Sequence, residues 1–170
     1  MHTSTNVSSQ HSSKYYPDER QHIELFLCCR DLKLPSSSSL NCISIAMFIQ
    51  RDGIYEQIAR TEKQTKNLAN PNFKKSFHIE YFFSINQNLK FVIKTSDKDS
   101  SNEKIIAEIE TTLSVILNTP DSTNIFDLTR TSNKGFDLLG KLIIRSEKIV
   151  YTANLLKVTF KACGLKFLKK

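Results

Sequence analysis

The feature that most limits what this chain can fold into is an alternation running from Phe73 to Phe83 and again from Leu89 to Ile93. Phe73, Lys75, Phe77, Ile79, Tyr81 and Phe83 share one parity, as do Leu89, Phe91 and Ile93 in the next run. A period of two carried by aromatic and β-branched residues describes half-buried strands; a helix would scatter the same side chains around its axis. An earlier run, Ile54 to Arg60, is parted from these by the polar turn Asn67-Leu68-Ala69-Asn70-Pro71-Asn72. Pro71 locks its own φ and drives Asn70 out of the helical region. Extended runs parted by turns predict antiparallel pairing.

The same reading extends along the chain. Ile23, Leu25, Leu27 and Cys29 alternate against Glu24, Phe26 and Cys28, giving a first strand that Pro35 and Ser36 to Ser39 terminate. A second strand starts at Asn41, and Arg51-Asp52-Gly53 is a turn signal. Ile105 to Leu117 begins as a strand and curls into a short helix before Pro120. Ile125 to Leu128 and Leu138 to Arg145 are later strands, separated by a polar loop containing Gly135. Together these predict an all-β fold, an antiparallel β-sandwich of roughly eight strands over residues 21–150. Residues 1–20 are polar and aperiodic and read as a disordered tail. In residues 151–170, Leu156, Val158, Phe160 and Ala162 alternate against Lys157, Thr159 and Lys161, which reads as one extra strand.

Composition narrows the function. At 170 residues the chain suffices for one well-buried domain, and its net charge of +7 favours anionic lipid, nucleic acid or an acidic protein face. No nucleic-acid-binding motif accompanies the charge, so none is expected as a partner. No run is long and apolar enough to span a bilayer, and the first twenty residues are polar rather than signal-like, which predicts an intracellular protein. His2 and His11 lie in the tail, and His22 and His78 lie on strands without a positioned nucleophile. There is no glycine elbow and no glycine-rich phosphate loop, so no enzyme is expected. Cys28, Cys29, Cys42 and Cys163 show no zinc spacing and read as free thiols, with Cys28 and Cys29 facing opposite sides of one strand.

Arg60-Thr61-Glu62, Asn70-Pro71-Asn72-Phe73, the aromatic run Phe77 to Phe83 and Leu89-Lys90-Phe91 resemble the first C2 domain of the copine family. The resemblance extends forward to Ile109-Glu110-Thr111-Thr112-Leu113, back to Asn41-Cys42-Ile43-Ser44-Ile45, and covers most of the chain after Gln21. It implies a β-sandwich whose loops at one end dock on phospholipid, in the family through calcium. Residues 151–170 look like the opening strand of a second C2 domain, without the rest of that domain or a von Willebrand factor A-type domain, so the chain reads as a shortened or incomplete family member.

The resemblance also implies calcium ligands on two facing loops. Matching Cys42 to the family cysteine puts Ser39 at one aspartate position, Leu40 at the usual proline and Lys33 near an earlier aspartate. In the later loop Thr95, Asp97 and either Glu103 or Lys104 fall at aspartate positions. The candidate metal ligands are therefore Asp97, Asp99 and Glu103. So few carboxylates, interspersed with lysines, make a poor cage for a divalent cation, and calcium dependence is expected to be weak or lost. Lys33, Lys98 and Lys104 would supply positive charge at the loop tip instead. Lys74, Lys90 and Lys94 have outward parity and are expected to form a basic patch on one sheet, as similar domains do for phosphoinositides. The expected function is a non-enzymatic module without a resident cofactor, docking on anionic phospholipid at the inner face of the plasma membrane. The alternative is a protein-interaction module using a sheet face or the C-terminal strand.

Overall fold

The structure, a computed structural model, describes residues 20–34, 42–96, 103–132 and 135–150. The expected tail, save Arg20, and the expected extra strand at 151–170 lie outside these residues. The elements are β1 (Arg20–Arg30), β2 (Cys42–Arg51), β3 (Ile54–Arg60), β4 (Phe77–Phe82), β5 (Asn88–Ser96), β6 (Glu103–Thr112), α1 (Leu113–Leu117), β7 (Thr123–Ser132) and β8 (Gly135–Ile149). They build two four-stranded sheets, β4-β1-β8-β7 and β3-β2-β5-β6, with every pairing antiparallel. This is the β-sandwich that the alternation predicts.

The inward parity of each strand fills the space between the sheets. Ile23, Leu25, Leu27 and Cys29 of β1 join Ile43, Ile45 and Met47 of β2 and Leu89, Phe91 and Ile93 of β5 in one core. Each large side chain of this kind contributes about 1.5–3 kcal/mol when fully buried. Burial pushes the Cys29 thiol up to about 12, which leaves it inert, whereas Cys28 faces outward and is half-buried. Asp52 (φ 49°) and Gly53 (φ 81°) both take positive φ between Arg51 and its partner Ile54, as a tight type I′ hairpin requires. Thr112 caps α1, its hydroxyl accepting from the Val115 N–H at 3.2 Å.

Between β3 and β4 the chain crosses from one sheet to the other, and every step of the crossing is held. On β2, Thr61 donates its N–H to the Ile45 carbonyl at 2.9 Å while its hydroxyl accepts the Ile45 N–H at 2.9 Å. On β1, the Cys29 N–H reaches the Pro71 carbonyl at 3.0 Å and the Phe73 N–H reaches the Leu27 carbonyl at 3.3 Å. The Glu62 carboxylate closes the crossing by accepting from the N–H groups of Lys74 (2.7 Å) and Lys75 (3.1 Å) and from the Gln64 amide (3.0 Å).

That capture explains where the aromatic strand departs from its sequence pattern. With the Lys74 and Lys75 N–H groups committed to Glu62, the backbone cannot join a sheet ladder until Phe77. Phe73 is buried all the same, but from the crossing, and Lys75 is exposed instead of inward. At the other end β7 and β8 outrun the expected strands, and Gly135 opens β8 instead of lying in a loop. Their mutual register runs from Thr123 opposite Arg145 to Ser132 opposite Gly135, so backbone pairing persists where the side chains are polar.

Gly140, on β8, has φ 139°, and a Cβ there would lie 2.8 Å from the Arg30 carbonyl oxygen and 3.0 Å from that of Asp31. Next to it the Lys33 N–H donates to the Leu139 carbonyl at 2.7 Å, so the end of β1 rests on the glycine. Gly140→Ala is expected to lower unfolding stability by about 3 kcal/mol, from backbone strain plus overpacking. Urea denaturation reads it, and an unchanged midpoint would reject this account of the contact.

Candidate functional site

The antiparallel register gathers the β1–β2, β5–β6 and β7–β8 connections at one end of the sandwich. Cys42 pairs with Ser96 and Ser96 with Glu103 at the bases of the β1–β2 and β5–β6 connections, while Arg30 pairs with Lys141, inside β8, so the β7–β8 hairpin runs on past the end of β1. The crossing contributes its turn to the same end, where Asn70 Oδ1 accepts the Asp31 N–H at 3.0 Å and the Ala69 carbonyl accepts the Leu32 N–H at 2.9 Å. Lys33 therefore has a clamped backbone and an exposed side chain. Lys104, opposite Thr95 at the start of β6, is exposed too. Among the described residues neither lysine has a carboxylate within ion-pair distance. Asp97, Lys98 and Asp99 lie outside the described residues.

Glu103 is engaged by two cations. Its carboxylate is paired with Arg60 and, at 3.5 Å, with the Lys94 ammonium, and Arg60 also donates to the Ser44 hydroxyl at 2.8 Å. The Arg60 hydrogen bond, helped by Lys94, holds the Glu103 carboxyl below the usual carboxylate range against the opposing effect of burial. Among the described residues no group of three His, Cys, Asp or Glu side chains is placed to hold a metal ion. A divalent cation needs several oxygens of summed negative charge, and of the three candidate ligands the structure describes Glu103, which is paired with two cations.

Of the lysines read as a basic sheet patch, Lys90 and Lys94 are answered by glutamates and Lys74 lies apart from them. Lys74 is exposed in the crossing that leads to β4, while Lys90 and Lys94 lie on β5 in the other sheet, so the three share no face. Parity alone cannot tell a hairpin from a change of sheet. What sets the change is the Gln87 side chain, 7% exposed, whose oxygen accepts the Phe82 N–H at 2.9 Å and whose amide donates to the Glu80 carbonyl at 2.8 Å. Lys90 meets Glu110 at 2.7 Å and Glu108 at 3.9 Å and lies 4.4 Å above the Tyr55 ring. The Glu110 hydrogen bond raises its pKa, so the ammonium is held charged but locally neutralised.

The sequence marks Arg60, Ser44 and Glu62 only as members of matched motifs, without their partners, and gives Gln87 no role. Arg60 and Glu103 are 43 positions apart, and no local spacing announces their meeting. Glu62 stands inside the recognised Arg60-Thr61-Glu62 motif, and a carboxylate ahead of an Asn-Pro corner was the available signal.

Glu62 and Glu103 both hold their protons less tightly folded than unfolded. At Glu62 burial pushes the pKa upward, but the hydrogen bonds from Lys74, Lys75 and Gln64 outweigh it. Such groups stabilise fully above the ordinary carboxylate range, and that contribution is lost as pH falls through their depressed folded values. Tm is expected to be flat from neutral pH down to about 5 and to fall below it, with Glu103→Gln lowering Tm near neutrality and flattening part of the acid fall. Calorimetric melts across pH test this; an acid limb identical in the variant would remove Glu103 from it.

Comparison with known proteins places this geometry. The family model described as "C2 domain" matches residues 25–128. Copine-B of Dictyostelium discoideum is 33% identical over 159 residues, which is 89% of this chain and 29% of that protein. Copine-A of the same organism is 35% identical over 120 residues, 71% of this chain and 19% of that protein. The chain thus spans under a third of the length of these curated relatives. Among solved structures, one described as BON1-C2B superposes with a TM-score of 0.60 at 14% identity, covering 78% of this chain and 94% of that one. A C2 domain of plant Extended Synaptotagmin 1 gives a TM-score of 0.54 at 16% identity, covering 77% and 97%. The chain belongs to the C2 domain family and is a C2 domain of copine type.

Proposed function

We propose that this domain is a non-enzymatic, peripheral module that docks its loop end on anionic phospholipid with little or no dependence on calcium. The observation that carries the reading is the pairing of Glu103 with Arg60 and Lys94 on the sheet's outer face, which neutralises that carboxylate and leaves the adjacent Lys104 unopposed among the described residues. Lys33, clamped by its backbone against Leu139, presents a second ammonium at the same end that is unopposed among the described residues. A lysine near an anionic leaflet contributes about 1 kcal/mol, and the net charge of +7 adds long-range attraction. The acidic leaflet such a module suits is the cytoplasmic face of the plasma membrane. Lys98, Asp97 and Asp99 belong to the same reading by sequence, the lysine adding to the tip charge and the aspartates serving as vestiges of a calcium loop.

A protein-interaction role has one observation in its favour. Among the described residues edge strand β3 has a neighbour on one side alone and carries exposed Ile54 (68%) and Ile58 (39%), as a surface for strand addition would. The C-terminal segment that this alternative also invoked lies outside the described residues.

Cosedimentation with phosphatidylserine vesicles separates the readings when run with calcium and with chelator at low and moderate salt. Equal binding in calcium and chelator, weakened by salt, is the expected result. Lys33→Gln and Lys104→Gln should each weaken it about fivefold. Binding only with calcium would restore the family mechanism, and none in any condition would favour the protein-interaction role.

A further inference from the structure

Exposed apolar side chains gather at the end of the sandwich opposite the docking loops. The register defines that end: Arg20 is opposite Phe82, His22 opposite Ile149 and Asn88 opposite Thr112, and the Asn88 amide donates to Gln50 Oε1 at 2.8 Å beside the β2–β3 hairpin. Phe83 and Ile85 in the β4–β5 connection, Val115 on α1, Ile54 at the hairpin and Val150 after β8 are each more than half exposed. The Leu113 N–H donates to the Gln87 carbonyl at 2.9 Å, so the β4–β5 connection and α1 adjoin. An open cavity of about 500 Å³ lies beside the end of α1 and the last residues of β8, with Leu117, Ser122, Glu147 and Lys148 in its lining. β7 starts at Thr123, opposite Arg145, and the Ser146 N–H meets the Ser122 carbonyl at 2.8 Å. Past that bond β8 has only β1 beside it among the described residues. Apolar side chains grouped next to an open strand edge are a surface for an occupant.

We infer that the occupant is residues 151–170 of this same chain, docked by the parity that Leu156, Val158, Phe160 and Ala162 share. Two stretches outside the described residues join the sandwich at this end, residues 1–19 ahead of Arg20 and residues 151–170 after Val150. Residues 35–41, 97–102 and 133–134 belong to the loop end. The chemistry of the two candidates decides between them. Residues 1–19 are rich in Ser, Thr, Gln and His, whereas residues 156–162 carry an apolar side chain at every second position with Lys157, Thr159 and Lys161 between. Docking by the apolar parity leaves those lysines in water. Reach supports the same end. The six residues from Val150 to Leu156 extend at most about 20 Å. A ten-residue strand such as β2 is about 33 Å long, so Leu156 cannot arrive at the docking loops. So short a tether holds the segment at a local concentration of roughly millimolar order, above that of a second copy in dilute solution. The inference stands apart from lipid docking, which uses the other end.

The test uses the full chain. With the photoreactive residue p-benzoylphenylalanine in place of Phe160, a mixture of isotope-labelled and unlabelled protein is irradiated, digested and mapped by mass spectrometry. Cross-links within one chain to residues 83–87, to α1 or to residues 145–150 are the expected result. Cross-links joining labelled to unlabelled chains would assign this end to a second copy and overturn the inference. Cross-links confined to other parts of the chain, or none at all, would overturn it too. Hydrogen exchange gives an independent reading. Val158→Asp combined with Phe160→Asp is expected to speed exchange in residues 83–87 and α1 about tenfold, by releasing the segment. Lys157→Gln combined with Lys161→Gln, on the opposite parity, is expected to change the same rates by under about twofold. Equal effects from the two pairs, or no effect from the aspartates, would reject docking by the apolar parity. Thermal melts check folding of each variant, and should the aspartate pair not fold, the cross-links decide.

Discussion

One carboxylate fastens the segment that carries the chain from one sheet to the other. Glu62 leaves β3 in one sheet and accepts the N–H groups of Lys74 and Lys75 just before β4 begins in the other, so a single side chain closes the whole crossing. The same residues satisfy the backbone along the way, with Thr61 on Ile45 and Pro71 and Phe73 on β1. Buried backbone groups left without partners are costly, and a crossing between sheets has no ladder to supply them. The Thr-Glu and Asn-Pro residues supply those partners locally. Because the turn of this crossing also binds Asp31 and Leu32, the clamp extends to the base of the loop end, and the docking loops inherit their footing from it.

Charge is sorted by region. On the outer face of one sheet the glutamates of β6 answer the lysines of β5, Glu108 and Glu110 for Lys90 and Glu103 for Lys94, so that face is close to neutral despite its lysines. At the loop end Lys33 and Lys104 are exposed without such partners among the described residues. Net charge is a property of the whole chain, whereas docking depends on where the unanswered part of it lies.

Much of the fold was legible because alternation is a backbone property that side chains record directly. β1, β2, β5, the strand-to-helix change at Leu113 and the Asp52-Gly53 hairpin all follow from period and turn chemistry. The start of β4 was not, since Lys75 keeps the right parity and only the remote Glu62 removes its N–H from the ladder. The partition of β4 and β5 into different sheets was equally hidden, because it depends on Gln87 replacing a strand partner. For the site, sequence position identified Glu103 but not its engagement, which needs Arg60 from 43 residues away. Side-chain meetings across strands carry no local signature, and the charge map of a sandwich is made of such meetings.

The order of strands also sets a timetable for the ribosome. Sheet β3-β2-β5-β6 has all its members once residue 112 has been made, so it can close while synthesis continues. β1, the earliest strand, must wait in the middle of its own sheet for β8, whose last paired residue is Ile149 opposite His22. Until then, among the described residues, β1 is paired with the short β4 and the crossing residues Pro71 and Phe73 but lacks its long neighbour β8. Pairing β1 with β8, the first and last of the described strands, makes synthesis as far as Ile149 a condition for completing this core, and long-range pairing of that kind leaves apolar surface uncovered in the interval.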